Sequence, residues 1–155
     1  MHLYLHVPFC ARRCSYCDFA IAVRREVPTE RYVAAVLREW DGWQTGDAWD
    51  IAGADGSEAG SAIQTVYFGG GTPSHIDPAG IGALLDGITR RRPVVAAAEI
   101  TLEANPDDVS PARAAAWRAA GVNRISLGVQ SFDPAVLGWM HRTHTADQVP
   151  RGGRR

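Results

Sequence analysis

Along this chain a short run of strand-forming residues repeatedly gives way to a loop and then to helical spacing, and that alternation limits the fold more than any other feature. His2 to Val7 alternates, with Leu3, Leu5 and Val7 on one face and His2, Tyr4 and His6 on the other, until Pro8 ends the ladder. From Thr29, with a cap next to Pro28, the residues Tyr32, Val33, Val36, Leu37 and Trp40 recur at helical spacing. Ile63 to Phe68 reads as a second strand that runs into Gly69, Gly70, Gly71, Thr72 and Pro73, and a helix opens at Asp77-Pro78. Glu99 to Glu103 reads as a third strand, followed by a helix from Ser110-Pro111 that Gly121 stops. Arg124 to Val129 is a fourth, followed by a helix from Asp133-Pro134 that carries Val136, Leu137 and Met140.

Consecutive strands joined by helical crossovers pair in parallel, so these four strand-helix units predict an α/β fold, either a barrel or an open sheet. In such folds the loops at the C-terminal ends of the strands converge on the active site. The polar chemistry falls there. The Cys loop follows the first strand, the glycine loop the second, Glu103 and Asn105 the third, and Gln130 closes the fourth. With 155 residues and 46% hydrophobic content the chain can bury one core, and no second domain is expected. Residues 44–61, rich in Gly, Asp, Ala and Ser without a period, read as a long surface loop or an insertion.

A net charge of -1 leaves no basic excess of the kind that marks a nucleic-acid or membrane-surface binder. All 16 basic residues are Arg, scattered along the chain, which reads as compositional bias of the source genome. The opening MHLYLHVPF lacks a cationic n-region, and no run of about 18 apolar residues occurs, so neither secretion nor a membrane span is expected and the protein reads as cytoplasmic. Three Cys is an odd count packed near the N-terminus, and in a reducing compartment metal binding is a better default than disulfides.

Cys10, Cys14 and Cys17 form a C-x3-C-x2-C loop. Three thiolates from one short loop can each hold one corner iron of a cubane cluster, and the fourth iron, lacking a thiolate, can be chelated by the amino and carboxylate groups of S-adenosylmethionine. The rivals are a zinc site of the three Cys plus His6, and three structural thiols. Gly69 to Pro73 lets backbone approach a ligand closely and offers N–H groups, or is simply a tight strand-to-helix turn. Glu103 among Ile100, Leu102 and Ala104 needs a donor or cation, such as a ribose hydroxyl or a ligand ammonium, unless it is a solvated rim carboxylate. Gln130 and Arg142, read alone, are ordinary solvated polar residues, and Tyr4 is wall packing as readily as a ligand contact. His141 and His144 at a helix edge read as solvated rather than as metal ligands. Trp40, Trp117 and Trp139 read as core or interface anchors, and Arg90 to Arg92 complements the dipole at the end of the second helix.

Together, LYLHVPFCARRCSYCDF, VYFGGGTPSHI, ITLEANPDDV and GVNRISLGVQSFDPAVLGWMHRTH closely resemble the radical S-adenosylmethionine family of oxygen-independent coproporphyrinogen III oxidases and the related HemW-type heme chaperones. The resemblance covers the chain to about Thr145. It implies the N-terminal part of a partial TIM-type (β/α) barrel, a radical SAM core over residues 1–145, followed by an atypical basic tail over 146–155. It also implies a 4Fe-4S cluster held by Cys10, Cys14 and Cys17, and S-adenosylmethionine contacts at Tyr4, Tyr16, Gly70, Gly71, Thr72, Glu103, Gln130 and Arg142.

In the oxidase branch the Cys loop carries one further Cys two positions on, and the chain has an extension before the first strand. Here Phe19 stands at that position and no extension is present, as in the chaperone branch. The resemblance therefore implies heme or a related tetrapyrrole as ligand, a heme-acceptor protein as partner and a reductant for the cluster. Radical decarboxylation of coproporphyrinogen propionates is the enzymatic alternative. The run Val149-Pro150-Arg151-Gly152-Gly153-Arg154-Arg155 departs from the family pattern and reads as a truncated or frameshifted product, or an incomplete gene model. A non-functional fragment is then a third reading, with the fourth strand left as an unpaired, aggregation-prone edge.

Overall fold

The structure, a computed structural model, describes residues 1–45 and 62–149. The remainder of the expected 44–61 loop and the residues from Pro150 onward lie outside the described residues. Among the described residues the four expected strand-helix units are present, with two short strands inserted before the first helix: β1 (His2–Val7), β2 (Phe9–Cys10), β3 (Ala22–Val23), α1 (Thr29–Thr45), β4 (Ile63–Gly70), α2 (Pro78–Arg91), β5 (Val94–Ala104), α3 (Pro111–Ala119), β6 (Arg124–Leu127) and α4 (Pro134–Trp139). The sheet order is β1-β4-β5-β6, and every pairing is parallel. Among the described residues no helix is long and apolar enough to cross a membrane.

The two faces of this sheet differ in chemistry. On one, Leu3, Leu5, Val7, Val66, Phe68 and Leu102 pack with Ile81, Leu84 and Ile88 of α2, Trp40 of α1 and Trp117 of α3 in a single core. The register aligns the other face as rows: His2 beside Thr65 beside Glu99, Tyr4 beside Tyr67 beside Thr101 beside Arg124, and Glu103 beside Ser126. This face is polar. His2 Nδ1 and Thr65 Oγ1 lie 2.9 Å apart, and Tyr4 stacks on Tyr67 with ring centroids 6.0 Å apart. A parallel sheet with helices on one side and a polar second face is what an incomplete barrel presents, the polar rows lining its interior.

Several boundaries moved from their expected places. Thr29 is the first helical residue rather than the cap, because the Tyr32 N–H bonds the Pro28 carbonyl at 2.9 Å and the Thr29 hydroxyl points back to the Val27 carbonyl. β5 starts at Val94, five residues upstream of Glu99, since pairing of Val94 with Ile63 carries a stretch of small residues that has no strand signal of its own. β6 stops at Leu127 because the Val129 N–H turns back to the Leu127 carbonyl at 2.9 Å. Asp77, Ser110 and Asp133 cap α2, α3 and α4 as their positions predicted. Ala146–Gln148 form one 3-10 turn.

Trp40 and Trp117 are core residues, whereas Trp139 is 68% exposed. His144, expected in solvent, is 2% exposed. Its Nε2 lies 2.9 Å from the Val129 carbonyl, so it pins the turn after β6 from beneath. β6 is the sheet edge, with Ile125 partly exposed, as expected of an unpaired strand.

Candidate cofactor site

The Cys loop is held at both feet. β2 and β3 form a two-residue parallel ladder that sequence periodicity did not predict, closed by Ala22 N–H to the Pro8 carbonyl at 2.7 Å and Arg24 N–H to the Cys10 carbonyl at 2.9 Å. Between the feet, a turn joins Cys17 N–H to the Cys14 carbonyl at 3.2 Å. The loop also docks on the end of α4, through the Ser15 hydroxyl on the Trp139 carbonyl at 3.2 Å and Arg12 on the His141 carbonyl. All three cysteines are free thiols.

Cys10 is buried, and its sulfur accepts from the Thr72 hydroxyl at 3.3 Å. Burial pushes this thiol's pKa up, while the Thr72 bond works in the other direction. At Gly71 a Cβ would stand 2.8 Å from the Cys10 sulfur, so only glycine lets the two loops meet. Gly70 has φ +117, a left-handed conformation that turns β4 out of the sheet. Two of the N–H groups expected to be on offer from this loop are engaged within the protein. Gly70 N–H is committed to Glu103 Oε2 at 3.2 Å, and Gly71 N–H to the Val7 carbonyl at 2.7 Å. The glycines contribute close approach instead.

Glu103 receives a second bond, from the Tyr67 hydroxyl to Oε1 at 2.7 Å. Each carboxylate oxygen therefore has one protein donor and keeps acceptor capacity toward the cavity. Just beyond, the Asn105 N–H bonds the Ser74 oxygen at 3.1 Å, and the fully buried Ser74 hydroxyl donates to Asp108 Oδ2 at 2.6 Å. Arg142 is pinned by Asn105 Oδ1 at 2.7 Å and the Gly128 carbonyl at 2.9 Å, and it points Nη1 toward the Cys14 sulfur at 3.9 Å. Its Nε is buried without a partner among the described residues. Burial raises the pKa of Tyr16, beside Cys14 and Arg142, with the guanidinium pulling it back. Gln130 sits past the end of β6 in a turn with φ +65.

These side chains line one cavity of about 640 Å³, a size suited to a cofactor. Cys10, Cys14, Cys17, Tyr16, Gly70, Gly71, Thr72, Glu103, Gln130 and Arg142 all reach it. Tyr4 does not: it lies in the middle of β1 on the polar sheet face, one strand away behind Tyr67. His75, Asp107, Asp108 and Ser126 line the cavity although their sequence context did not single them out. Asp107 and Asp108 follow the third expected strand directly, so the rule that strand ends converge could have found them.

The chemistry of the donor set, three free thiols from one short loop, fits three corners of a cubane. His6, the proposed fourth zinc ligand, instead lies on the polar sheet face, 3.4 Å from the Tyr4 hydroxyl and 3.4 Å from the Ala20 carbonyl. Cys10, Cys14 and Cys17 all line the same cavity, where each can give its sulfur to a separate iron.

The chain is similar in sequence and fold to known proteins. The heme chaperone HemW of Escherichia coli (strain K12) is 41% identical over 99% of this chain and 38% of its own length. A mitochondrial radical S-adenosyl methionine domain-containing protein 1 of Bos taurus is 39% identical over 93% of this chain and 30% of its own. The chain thus spans about a third of these curated relatives. A solved coproporphyrinogen III oxidase (HemN) from Escherichia coli, a radical SAM enzyme, superimposes with a TM-score of 0.77 at 26% identity, over 96% of this chain and 32% of that one. The profile of the Radical SAM superfamily matches residues 4–154, and the chain belongs to that superfamily, whose members in general use S-adenosylmethionine and a 4Fe-4S cluster.

Proposed function

We propose that this chain is the cofactor-binding part of a HemW-type heme-trafficking protein, with Cys10, Cys14 and Cys17 each taking one iron of the cluster and the fourth iron left to S-adenosylmethionine. The observation that carries this reading is convergence: three thiols, with Phe19 and no further Cys beside them, face the donors of the next three strand ends across one cavity. Bound there, the cofactor pair supplies one-electron reductive cleavage of a sulfonium carbon–sulfur bond.

The chain's own residues hold and orient. Glu103, fixed by Tyr67 and Gly70, offers its remaining lone pairs to a hydroxyl or ammonium group. Arg142, held by Asn105 and Gly128, presents a fixed positive charge for a carboxylate. Gly70, Gly71 and Thr72 form a wall without bulk, and Tyr16 and Gln130 flank the opening. Tyr4 acts at one remove, by stacking on Tyr67.

Heme is the ligand this reading assigns, since HemW is the name the relatives carry. Titrating heme into the anaerobically reconstituted chain tests it, and absence of saturable binding removes the trafficking role from these residues. A second reading, radical decarboxylation of coproporphyrinogen propionates, is favoured by the likeness to the oxidase. Incubation with reductant, S-adenosylmethionine and coproporphyrinogen then yields deoxyadenosine and decarboxylated product, and absence of both rejects it.

A further inference from the structure

Thr72 occupies the N-cap position of the 3-10 turn Pro73–His75, yet its side chain makes no capping bond. A threonine there normally gives its oxygen to a backbone N–H of the first turn. Here the turn is closed by backbone alone, His75 N–H to the Thr72 carbonyl at 2.9 Å, and the hydroxyl is turned away to the Cys10 sulfur at 3.3 Å. Both residues are buried, with Thr72 9% exposed. Two features hold the hydroxyl in place. Thr72 precedes Pro73, which disfavours the helical region for its backbone, observed at φ -150 and ψ 84. Gly71, which has no Cβ, lets the Cys10 sulfur come up against the same loop.

We propose that Thr72 is a positioning residue that sets the reduction potential of the cluster, by donating its hydroxyl proton to the Cys10 sulfur rather than to S-adenosylmethionine. This rests on the reading of the three cysteines as cluster ligands. Adding an electron raises the negative charge on the sulfurs, so a hydrogen bond to one of them stabilises the reduced cluster more than the oxidised one. Thr72 then meets S-adenosylmethionine with its backbone and methyl surface only.

The test uses the full chain reconstituted anaerobically with ferrous iron and sulfide, in wild-type, Thr72→Val and Thr72→Ser forms. The midpoint potential is read by titration followed by electron paramagnetic resonance. Thr72→Val, which keeps the shape and loses the hydroxyl, is expected to lower the reduced-to-oxidised ratio at fixed ambient potential about tenfold, equivalent to about 59 mV for a one-electron couple. Thr72→Ser is expected to restore the wild-type value. A loaded Thr72→Val protein with unchanged potential overturns the proposal, as does a Ser variant that behaves like Val. Should Thr72→Val not load, double resonance on the reduced wild-type and Ser clusters in water and deuterium oxide decides: a coupled, exchangeable hydroxyl proton supports the proposal and its absence overturns it. Failure of the wild-type chain to take up a cluster at all instead rejects the underlying site reading.

Discussion

Tyr67 grips Glu103 from the neighbouring strand, its hydroxyl donating to Oε1 at 2.7 Å while Gly70 N–H reaches Oε2 at 3.2 Å. The bond to Glu103 is also the first cause of the raised Tyr67 pKa. Tyr67→Phe leaves the carboxylate with one anchor and an additional solvated rotamer. The expected result is about five- to tenfold weaker S-adenosylmethionine binding to the cluster-loaded chain, roughly 1 to 1.4 kcal/mol, with the fold intact. Calorimetric titration measures it, and unchanged affinity would separate Glu103 orientation from Tyr67.

Two glycine substitutions should behave in opposite ways. Gly71→Ala puts a methyl 2.8 Å from the Cys10 sulfur and is expected to remove most bound iron and sulfide per chain. Gly82→Ala in α2 meets only Ala120 at an ordinary 3.6 Å and should stabilise the chain by about 0.5 to 1 kcal/mol. Iron analysis and thermal melts check the pair.

Leu102 is fully buried in β5, between β4 and β6. Leu102→Ala is expected to cost about 2 to 5 kcal/mol in urea denaturation, whereas Ile125→Thr on the exposed edge strand should stay within about 0.5 kcal/mol. A similar loss at both positions would mean that the edge is more covered than the isolated chain shows.

Asp41 of α1 and Arg91 of α2 form an ion pair, with Arg91 Nη2 to Asp41 Oδ2 at 2.8 Å, and the Arg91 bond holds the Asp41 carboxyl below its ordinary pKa. The folded-state pKa is the lower one, so the stabilisation is present above the unfolded value of about 3.9 and fades as pH falls through the folded value. Asp41→Asn should therefore melt slightly lower than wild type at neutral pH, with the gap closing below about pH 4 and shrinking in high salt. A gap independent of pH would assign the effect to packing.

The order of elements was legible because the hydrophobic period switches between two and 3.6, and because Asp77-Pro78, Ser110-Pro111 and Asp133-Pro134 punctuate it. Convergence of the Cys loop, Glu103 and Gln130 followed from topology alone. The β2–β3 ladder was not legible, since two-residue strands have no period and form only when the loop closes. The part played by Asp108 was hidden too, because it depends on a contact from Ser74 on a different loop. His144 escaped for a related reason: its burial is decided by the turn folded over it, and not by its neighbours in sequence. Tyr4 is placed by the period of its strand, in the middle of β1 and outside the lining of the cavity.

The pairing of Phe9–Cys10 with Ala22–Val23 makes the cysteine-bearing segment a hoop whose ends are joined by backbone hydrogen bonds. Tying off a free segment of this size opposes assembly by on the order of 3 kcal/mol. The ladder offsets that entropic demand through the chain's own backbone rather than through ligation, so lengthening the hoop at its crown should slow cluster uptake far less than cutting either foot.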